Sequence, residues 1–469
     1  MKVKYPKNPF QLTVCKWHAR LSALLVSYSF LLGSFSASAQ TFNTNNPANE
    51  YQLNTITTAV PFLMISGNAY EMGSANVGVV ANNQYHETAF TANPALLANG
   101  HKYLSTRVGF TPWLRALVPD VNLVTHSVSG TINRRNALGV YFKYFDLGNI
   151  TFTDNTGQQI GSFNPNEFVV QVNYAHWFPM GLSVGVAGKY IYSNLTGGLN
   201  VGGEDTRPGM AGAVDLGLSY RKYHHVSDVF GIGGNFGFAL NNIGNKMSYT
   251  QTAEKDFLPM NMMLGAQLNI GMEFGIVRFE HDLGYQVTKL LVPTPPIFDS
   301  SPYINNNLPP GDTLGAIGHP DNANPSFGSA VIGKDPNVGV FQGIIQSFND
   351  APGGTQEEWR EVIHQISHEF RFILNDVFMI GFREGFFYEH ETKGNRQFVS
   401  LGGSIGGAGF RLDLGGWIPV QGRNPLENTL FATVSYRMII GRPKKRMRYP
   451  KWNAEKEFAQ SIELKLDNE

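Results

Sequence analysis

Charge and cysteine are both scarce in this chain. Asp, Glu, Lys and Arg make up 15% of its 469 residues, whereas a typical soluble protein carries about 25%. Cys15 is the only cysteine, so the rest of the chain has no disulfide and no cysteine metal site. Beyond the N-terminus no apolar run reaches the length of about 18 residues that a membrane helix needs. Glycine (51 residues) and aromatic residues (12%) are abundant, and this combination is typical of an outer-membrane β-barrel.

The first 39 residues have the features of an export signal. An apolar stretch covers 21–35, and Ala37-Ser38-Ala39 ends it with the small-x-small pattern that signal peptidase recognises. The basic residues before or at the edge of that stretch are Lys2, Lys4, Lys7, Lys16 and Arg20. Cleavage before Gln40 is expected, and it would also remove Cys15.

The stretch from Glu167 to Ser193 shows the repeating pattern most clearly. Apolar residues such as Val170, Val172 and Tyr174 occupy every second position, and polar or small residues lie between them. Side chains on a strand alternate between its two faces, so each half of the stretch has one apolar face. Each half is about a dozen residues long, enough for a tilted strand to cross a bilayer. The stretch therefore predicts a transmembrane β-hairpin.

The same pattern recurs along the chain and predicts an all-β transmembrane barrel of about fourteen antiparallel strands. The predicted strands are 103–111, 121–133, 136–146, 166–178, 181–193, 209–222, 228–241, 258–270, 273–289, 362–375, 376–389, 396–407, 408–419 and 428–440. Connections after even-numbered strands are short and those after odd-numbered strands are generally longer. Barrels have short periplasmic turns and long external loops, so we expect both ends of the barrel domain to face the periplasm.

The pattern also divides the chain into segments. Residues 1–39 are the predicted signal peptide, 40–102 a periplasmic leader followed by a hatch inside the barrel, and 103–440 the barrel. The hatch is expected in the lumen because irregular backbone is tolerated at membrane depth only when protein or water surrounds it. The loop 290–361 holds ten of the 25 prolines together with many apolar residues, which favours an ordered extracellular cap. Residues 441–469 form a basic, helically spaced tail on the periplasmic side.

Within the cap and the barrel, few residues indicate catalysis. Thr355 begins a capping-box pattern that predicts a short helix. His364-x-x-x-His368-Glu369 resembles a zinc-protease motif, but Gln365 stands where the catalytic Glu must be. We therefore expect no metal, no cofactor, no nucleic-acid binding and no enzyme activity. Charged residues expected to face the lumen are interpreted as pairing with each other or with the hatch: Lys143, Lys189, Asp215, Arg221, Arg278, Glu280, Arg371, Arg383, Arg411 and Asp413.

A series of short motifs, in order, resembles the PorV (LptO) family, outer-membrane barrels of the type IX secretion system in Bacteroidetes. The motifs are Thr57–Ser66, Thr111–Leu114, Leu147–Asn155, Asn164–Phe168, Asn194–Gly198, Asn242–Lys246, Lys289–Pro296, Gln346–Gly354, Lys393–Arg396 and Asn424–Leu430. Asn93-Pro94-Ala95 is shared with the wider group of FadL-type channels, where it lies in the hatch. The chain departs from the family at Asn68–Gly73, where an Arg-x-Gly-Gly-Met-Gly run is usual, and in its tail of about 29 residues.

The resemblance implies a FadL-like barrel that binds the C-terminal domain of secreted cargo outside the cell and carries it to the attachment machinery. The implied partners are a SprA-like translocon barrel, cargo C-terminal domains, a sortase complex and outer-membrane lipid. The residues expected to contact cargo on the external loops are Trp113, Leu114, Phe152, Phe298, Tyr303, Phe341 and Phe348. The hatch residues are Phe62, Met64, Met72, Asn93 and Pro94. The alternative is a FadL-type channel for uptake of hydrophobic small molecules, and a third possibility is a fixed translocon subunit.

Overall fold

A computed structural model gives the fold of residues 54–81, 87–98, 102–115, 117–153, 156–198, 200–201, 204–227, 229–250, 254–298, 331–420 and 429–439. The predicted signal peptide, the tail 441–469 and Tyr303 lie outside these described residues. None of the helices in the described ranges is both long enough and apolar enough to span a membrane.

Fourteen antiparallel strands form a closed barrel, which confirms the predicted number and order. They are β1 (Tyr103–Pro112), β2 (Asn122–Thr131), β3 (Asn136–Asp146), β4 (Asn166–Trp177), β5 (Leu182–Asn194), β6 (Gly209–His225), β7 (Phe230–Gly244), β8 (Asn261–Phe274), β9 (Val277–Leu290), β10 (Ile363–Leu374), β11 (Phe378–Tyr388), β12 (Gln397–Gly407), β13 (Phe410–Pro419) and β14 (Leu430–Ile439). The barrel closes where β1 pairs with β14, from Tyr103 opposite Ile439 to Phe110 opposite Ala432.

The two rims of the barrel differ in the length of their connections. The short-turn rim has turns of a few residues, such as 178–181 and 275–276, and the long-loop rim carries connections such as 245–260 and 291–362. Helix α1 (Ala69–Met72) precedes the first strand, and two helices lie in the longest loop: α2 (Val340–Gln346) and α3 (Thr355–Arg360). The N-cap of α3 is Gly354 and no side chain caps it, so the predicted capping box at Thr355 is wrong although the helix is present. Thr355 is the first helical residue, one position too late to cap.

The barrel is apolar outside and polar inside, the reverse of a soluble protein. On β4, Val170, Val172 and Tyr174 face outward and are 37%, 53% and 40% exposed. Gln171 and Asn173, which alternate with them, are buried in the interior. An outward apolar band with a polar lumen is the arrangement that a bilayer stabilises.

A bulge interrupts the pairing of β6 with β7. The register shifts between Val214 and Leu216, so Asp215 faces two residues of β7, Asn241 and Asn242. Asn242 has a positive φ of 60°, and the Asp215 carboxylate accepts a hydrogen bond from its backbone N–H at 2.7 Å. Lys189 on β5 bridges Asp215 at 2.7 Å and the Asn242 amide oxygen at 2.6 Å. A buried ion pair therefore supplies the contacts that the bulged ladder lacks.

Candidate functional site

The N-terminal segment (residues 54–81 and 87–98) contacts the inward faces of the barrel strands. Asn54 donates to the Pro295 carbonyl at 2.6 Å, and its N–H donates to the Thr392 carbonyl at 3.3 Å, so the segment begins at the long-loop rim. Ala98 accepts from the Ser183 hydroxyl at 3.1 Å, beside the turn 178–181, so the segment ends at the short-turn rim. The predicted periplasmic leader before Asn54 lies outside the described residues, so it stays a prediction.

The Asn93-Pro94-Ala95 motif forms a tight turn that strands β5 and β6 accommodate with glycine. The Asn93 amide caps the turn by accepting from the Ala95 N–H at 3.0 Å, and it donates to the carbonyls of Val79 and Leu218 at 3.0 Å. A Cβ on Gly185 would lie 2.4 Å from the backbone of Pro94 and Ala95. The motif therefore fixes the N-terminal segment against the strands through backbone contact.

The residues that depart from the family pattern, 68–73, have specific partners here. Asn68 caps helix α1 (Ala69–Met72) by accepting from the Tyr70 N–H at 2.9 Å. The Tyr70 hydroxyl donates to Glu369 at 2.8 Å, and the Trp417 indole donates to the Met72 carbonyl at 2.9 Å. The altered sequence is thus built into the barrel interior.

Tyr70 docks into a network of buried charges on β9 to β13. Arg371 is its centre and contacts Glu280 at 2.8 Å, Asp282 at 2.6 Å and Glu369 at 2.7 Å. Arg383 continues the network to Asp413 at 2.7 Å. Sequence reasoning placed Arg371, Arg383 and Asp413 in the lumen, but it missed Asp282 and Glu369. Asp282 lies two positions after Glu280, and Glu369 two positions before Arg371, so each faces the same side of its strand as a lumen residue that was identified. This alternation was the signal that could have found them.

The pairing interpretation of the lumen charges is confirmed for most of them. Lys143 donates to three carbonyls of the N-terminal segment, those of Phe62 and Leu63 at 3.3 Å and of Ile65 at 2.6 Å. The remaining partnered residues of the predicted set are Lys189, Asp215, Arg278, Glu280, Arg371, Arg383, Arg411 and Asp413. Buried charges are costly unless they are paired, so this interior is held in one arrangement.

At the long-loop rim the N-terminal segment packs into an apolar cluster. Phe62 is 1% exposed and stacks on Phe145 at 6.3 Å, and Leu258 and Leu291 are equally buried. Met64 borders the same cluster and accepts a hydrogen bond from the Asn261 amide at 3.2 Å. The N-terminal segment and the loops of this rim therefore share one core.

The predicted cargo-contact residues fall into different environments. Trp113 packs edge-on against Trp417 at 5.8 Å and is directed into the core, and Leu114 occupies a turn with a positive φ of 52°. The backbones of Phe152 and Phe298 lie in the two-stranded sheets 150–153 with 159–163 and 297–298 with 331–332. The described residues of the set therefore do not share one environment, and Tyr303 lies outside the described residues.

The part of the long loop that carries α2 and α3 has four large apolar side chains that are exposed. Phe341 is 78% exposed and Phe348 49%, as expected for residues available to a partner. Ile345 (74%) and Trp359 (73%) are equally exposed and were not among the predicted contacts. Phe341 and Ile345 are four residues apart on α2 and therefore share one face. We call these four residues the cap patch.

Buried ion pairs fasten this cap to the barrel rim. Glu361 accepts from Lys289 at 2.6 Å, from Lys393 at 3.1 Å and from the Thr294 hydroxyl at 2.6 Å. Lys289 also contacts Glu358 at 3.0 Å, and Lys393 also contacts Glu357. Sequence reasoning missed this cluster, which brings together the end of β9, the long loop 291–362 and the loop 389–396.

Asp350 lies beside the same cluster and accepts from the Thr294 N–H at 3.1 Å. The pKa of its carboxyl is raised from 3.8 to about 6, chiefly by burial; Glu358 and Glu361 act in the same direction, and the Thr294 hydrogen bond and Lys289 oppose the rise. The carboxyl therefore favours its protonated form in the folded cap more than in the unfolded chain.

The residues of the zinc-protease-like motif lie on β10 and do not converge. His364 and His368 face outward, whereas Glu369 faces the lumen, because successive residues on a strand point to opposite faces. In the described part of the chain, His, Cys, Asp and Glu side chains form no group of three that could hold a metal ion.

Comparison with known proteins identifies the family. A sequence model described as "Type IX secretion system protein PorV" matches residues 47–297, more than half of the chain. No curated protein matches the sequence.

Solved structures with some likeness are outer-membrane barrels. The toluene transporter TodX of Pseudomonas putida covers 82% of this chain, and 98% of TodX is covered, at 10% identity and a TM-score of 0.36. The toluene transporter TbuX of Ralstonia pickettii covers 78% of this chain, and 97% of TbuX is covered, at 11% identity and a TM-score of 0.34. A FadL homologue of Pseudomonas aeruginosa covers 82% of this chain, and 96% of that homologue is covered, at 9% identity and a TM-score of 0.32. At these TM-scores the likeness carries no argument, and the fold rests on the strand pairing itself. The family match and the closed fourteen-stranded barrel lead to one conclusion: the chain belongs to the PorV family and is an outer-membrane component of the type IX secretion system.

Proposed function

We propose that this barrel binds the C-terminal domain of secreted cargo at its long-loop rim and carries it from the translocon barrel to the sortase complex. Family membership supports a role with the type IX secretion machinery, and members of this family act in protein secretion rather than catalysis. The cargo, the SprA-like translocon and the sortase complex belong to the proposal. The long-loop rim is the extracellular side in this proposal, and the N-terminal segment acts as the hatch, with Phe62, Met64, Met72, Asn93 and Pro94 in it.

The cap patch is the observation that carries the proposal. Its four large apolar side chains stay exposed on loop segments outside the strands, where the membrane provides no cover for them. Exposed apolar patches rimmed by polar residues mark protein interaction sites. The polar residues around the patch include Gln342 on α2 and Gln356 on α3, both exposed.

The anchoring of the cap supports the same function. Glu361, Lys289 and Lys393 fix α3 to the rim through contacts that are buried from solvent. A surface that is ordered before binding loses less conformational entropy when a partner docks. The cap is therefore suited to repeated cycles of binding and release.

Replacing three patch residues by alanine (F341A, I345A and W359A) tests the proposal. The variant should bind a purified cargo C-terminal domain at least 30-fold more weakly, since buried aromatic anchors are each worth about 2 kcal/mol when they are hot spots. Surface plasmon resonance with the barrel in nanodiscs measures this directly. Cells that carry the variant should also accumulate unprocessed cargo.

The matched control is Q342A with Q356A, which alters the same two helices at polar exposed positions. This control should bind cargo within about twofold of the original protein. Equal binding by the triple variant and the control would contradict the proposal. Loss of binding in both would show that the helices, not the patch, had been disturbed.

The charged interior weighs against the alternative of a channel for hydrophobic molecules. Arg371, Arg383 and their carboxylate partners lie where such a solute would pass, and Tyr70 is bonded into the same network. An uptake assay with a hydrophobic dye in proteoliposomes tests the alternative. Uptake well above that of empty liposomes would favour the channel.

A further inference from the structure

The outward face of β9 to β11 carries a polar cluster in a wall that is largely apolar. It consists of His281 on β9, His368 on β10 and Glu384 on β11, which we call the wall triad. His368 pairs in register with Leu283 on one side and Glu384 on the other. Three neighbouring strands therefore bring the triad together, although 103 positions separate its first and last residues in the sequence.

Hydrogen-bonding distances connect all three side chains. His281 Nδ1 and His368 Nε2 lie 3.3 Å apart, and His368 Nδ1 and Glu384 Oε1 lie 3.2 Å apart. The two imidazole rings are stacked, with centroids 5.6 Å apart and an angle of 12° between their planes. The arrangement orients the Glu384 carboxylate, whose side chain is still 39% exposed.

The triad lies well inside the membrane-spanning wall. In β10 five residues precede His368 and six follow it, and in β11 six precede Glu384 and four follow it. The neighbouring outward residues Ile366 and Phe382 are apolar and 53% and 64% exposed. The polar groups are thus surrounded by surface that suits hydrocarbon, far from either rim.

Glu384 is exceptional among the described strands. It is the one acidic side chain in them that faces outward more than two residues from a strand end. The other mid-strand carboxylates, such as Asp282 and Asp413, face the lumen and pair with arginine. An ionisable group exposed to lipid is costly and marks a functional position.

We propose that the wall of β9 to β11 is a docking face for a second membrane-embedded protein that places a lysine or arginine against Glu384. Lipid does not supply this contact, since cationic headgroups remain at the membrane surface while Glu384 lies near mid-depth. A second copy of this chain, docked about a two-fold axis, would bring its own Glu384 towards the first, and like charges repel. Polar contacts between membrane-embedded segments hold such interfaces together, and Ile366, Phe382 and Leu401 form the apolar surround.

This inference is independent of the cap patch and of cargo binding. It concerns the lipid-facing wall, whereas the proposed cargo surface lies on the loops. Either proposal can fail while the other stands.

Photo-crosslinking in native membranes tests the docking face. A benzophenone side chain replaces Phe382 in one full-length variant and Val172, equally outward on β4, in the control. We expect the Phe382 site to form a protein adduct whose crosslinked peptide comes from a membrane-spanning segment of another protein. The Val172 site should label lipid only.

Changing Glu384 in the Phe382 crosslinking variant tests the charge. E384Q should reduce the protein adduct about tenfold or more, and E384K should abolish it, because a lysine would repel the partner's cation. Removing a lipid-facing charge should not weaken the isolated barrel, so the unfolding temperature of E384Q in detergent should equal or exceed that of the original protein. Reduced adduct with an intact barrel separates docking from folding.

Three results would overturn the proposal. The first is labelling of lipid alone from Phe382, as from Val172. The second is an adduct at twice the mass of this chain, which would show self-association. The third is a protein adduct whose yield E384Q and E384K leave unchanged.

Discussion

The strongest prediction concerns Glu361, which links two lysines and a threonine at the base of the cap. Its side chain is 1% exposed and accepts hydrogen bonds from Lys289, Lys393 and Thr294. Glu361→Gln keeps the shape of the side chain but removes the charge that lies between the two ammonium groups. The expected effect is local opening of α3 with the barrel left intact.

The size of the effect follows from the contacts that remain. Breaking a buried ion pair costs about 3 to 5 kcal/mol. Lys289 keeps Glu358 and Lys393 keeps Glu357, so the lower end, about 3 kcal/mol, applies. Since 1.4 kcal/mol corresponds to a factor of ten, the open state of the cap should become roughly 100-fold more populated.

Hydrogen exchange measures this population amide by amide. The amides of α3 should lose protection by roughly 100-fold in Glu361→Gln, while those of β4 keep theirs. Glu391→Gln, an exposed carboxylate in the neighbouring loop, is the control and should change protection by less than about threefold. Unchanged exchange in α3, or an equal loss throughout the barrel, would refute the reasoning.

Three further predictions concern pH, packing and orientation. The contribution of Asp350 to holding the cap should be full below about pH 4 and should be lost as the pH rises through about 6, because burial raises the pKa of this carboxyl. Asp350→Asn keeps an acceptor for the Thr294 N–H and should remove this part of the pH dependence of α3 exchange; an unaltered pH profile would contradict the assignment. Gly185→Ala should destabilise the barrel by about 1 to 3 kcal/mol in urea unfolding, because the added Cβ would clash with the Pro94 backbone. Gly188→Ala on the same strand has open space around it and should have little effect. Equal urea midpoints for the two variants would count against the packing argument. A cysteine at Thr55 should react with an impermeant maleimide on intact cells, and one at Met180 only after the outer membrane is opened; the reverse pattern would invert the proposed orientation.

The local sequence pattern was sufficient to predict the strands, because the alternation of apolar and polar side chains involves only neighbouring residues. Val170, Gln171 and Val172 already alternate, and the structure places the first and third outside and the second inside. The same parity placed Arg371 and Asp413 in the lumen. The capping box at Thr355 failed because the turn at Gly354 shifts the start of the helix by one residue.

The sequence by itself therefore determined the number of strands, their order and the side of the wall that each residue faces, since these depend on alternation and on loop length. The tertiary structure alone decided which side chains meet. Arg371 contacts Glu280, Glu361 contacts Lys393, and His281 contacts His368, because strand register and barrel closure bring distant segments together. It also decided that Asn54 lies at the long-loop rim, since the packed loops there offer the partners that hold it, the carbonyls of Pro295 and Thr392.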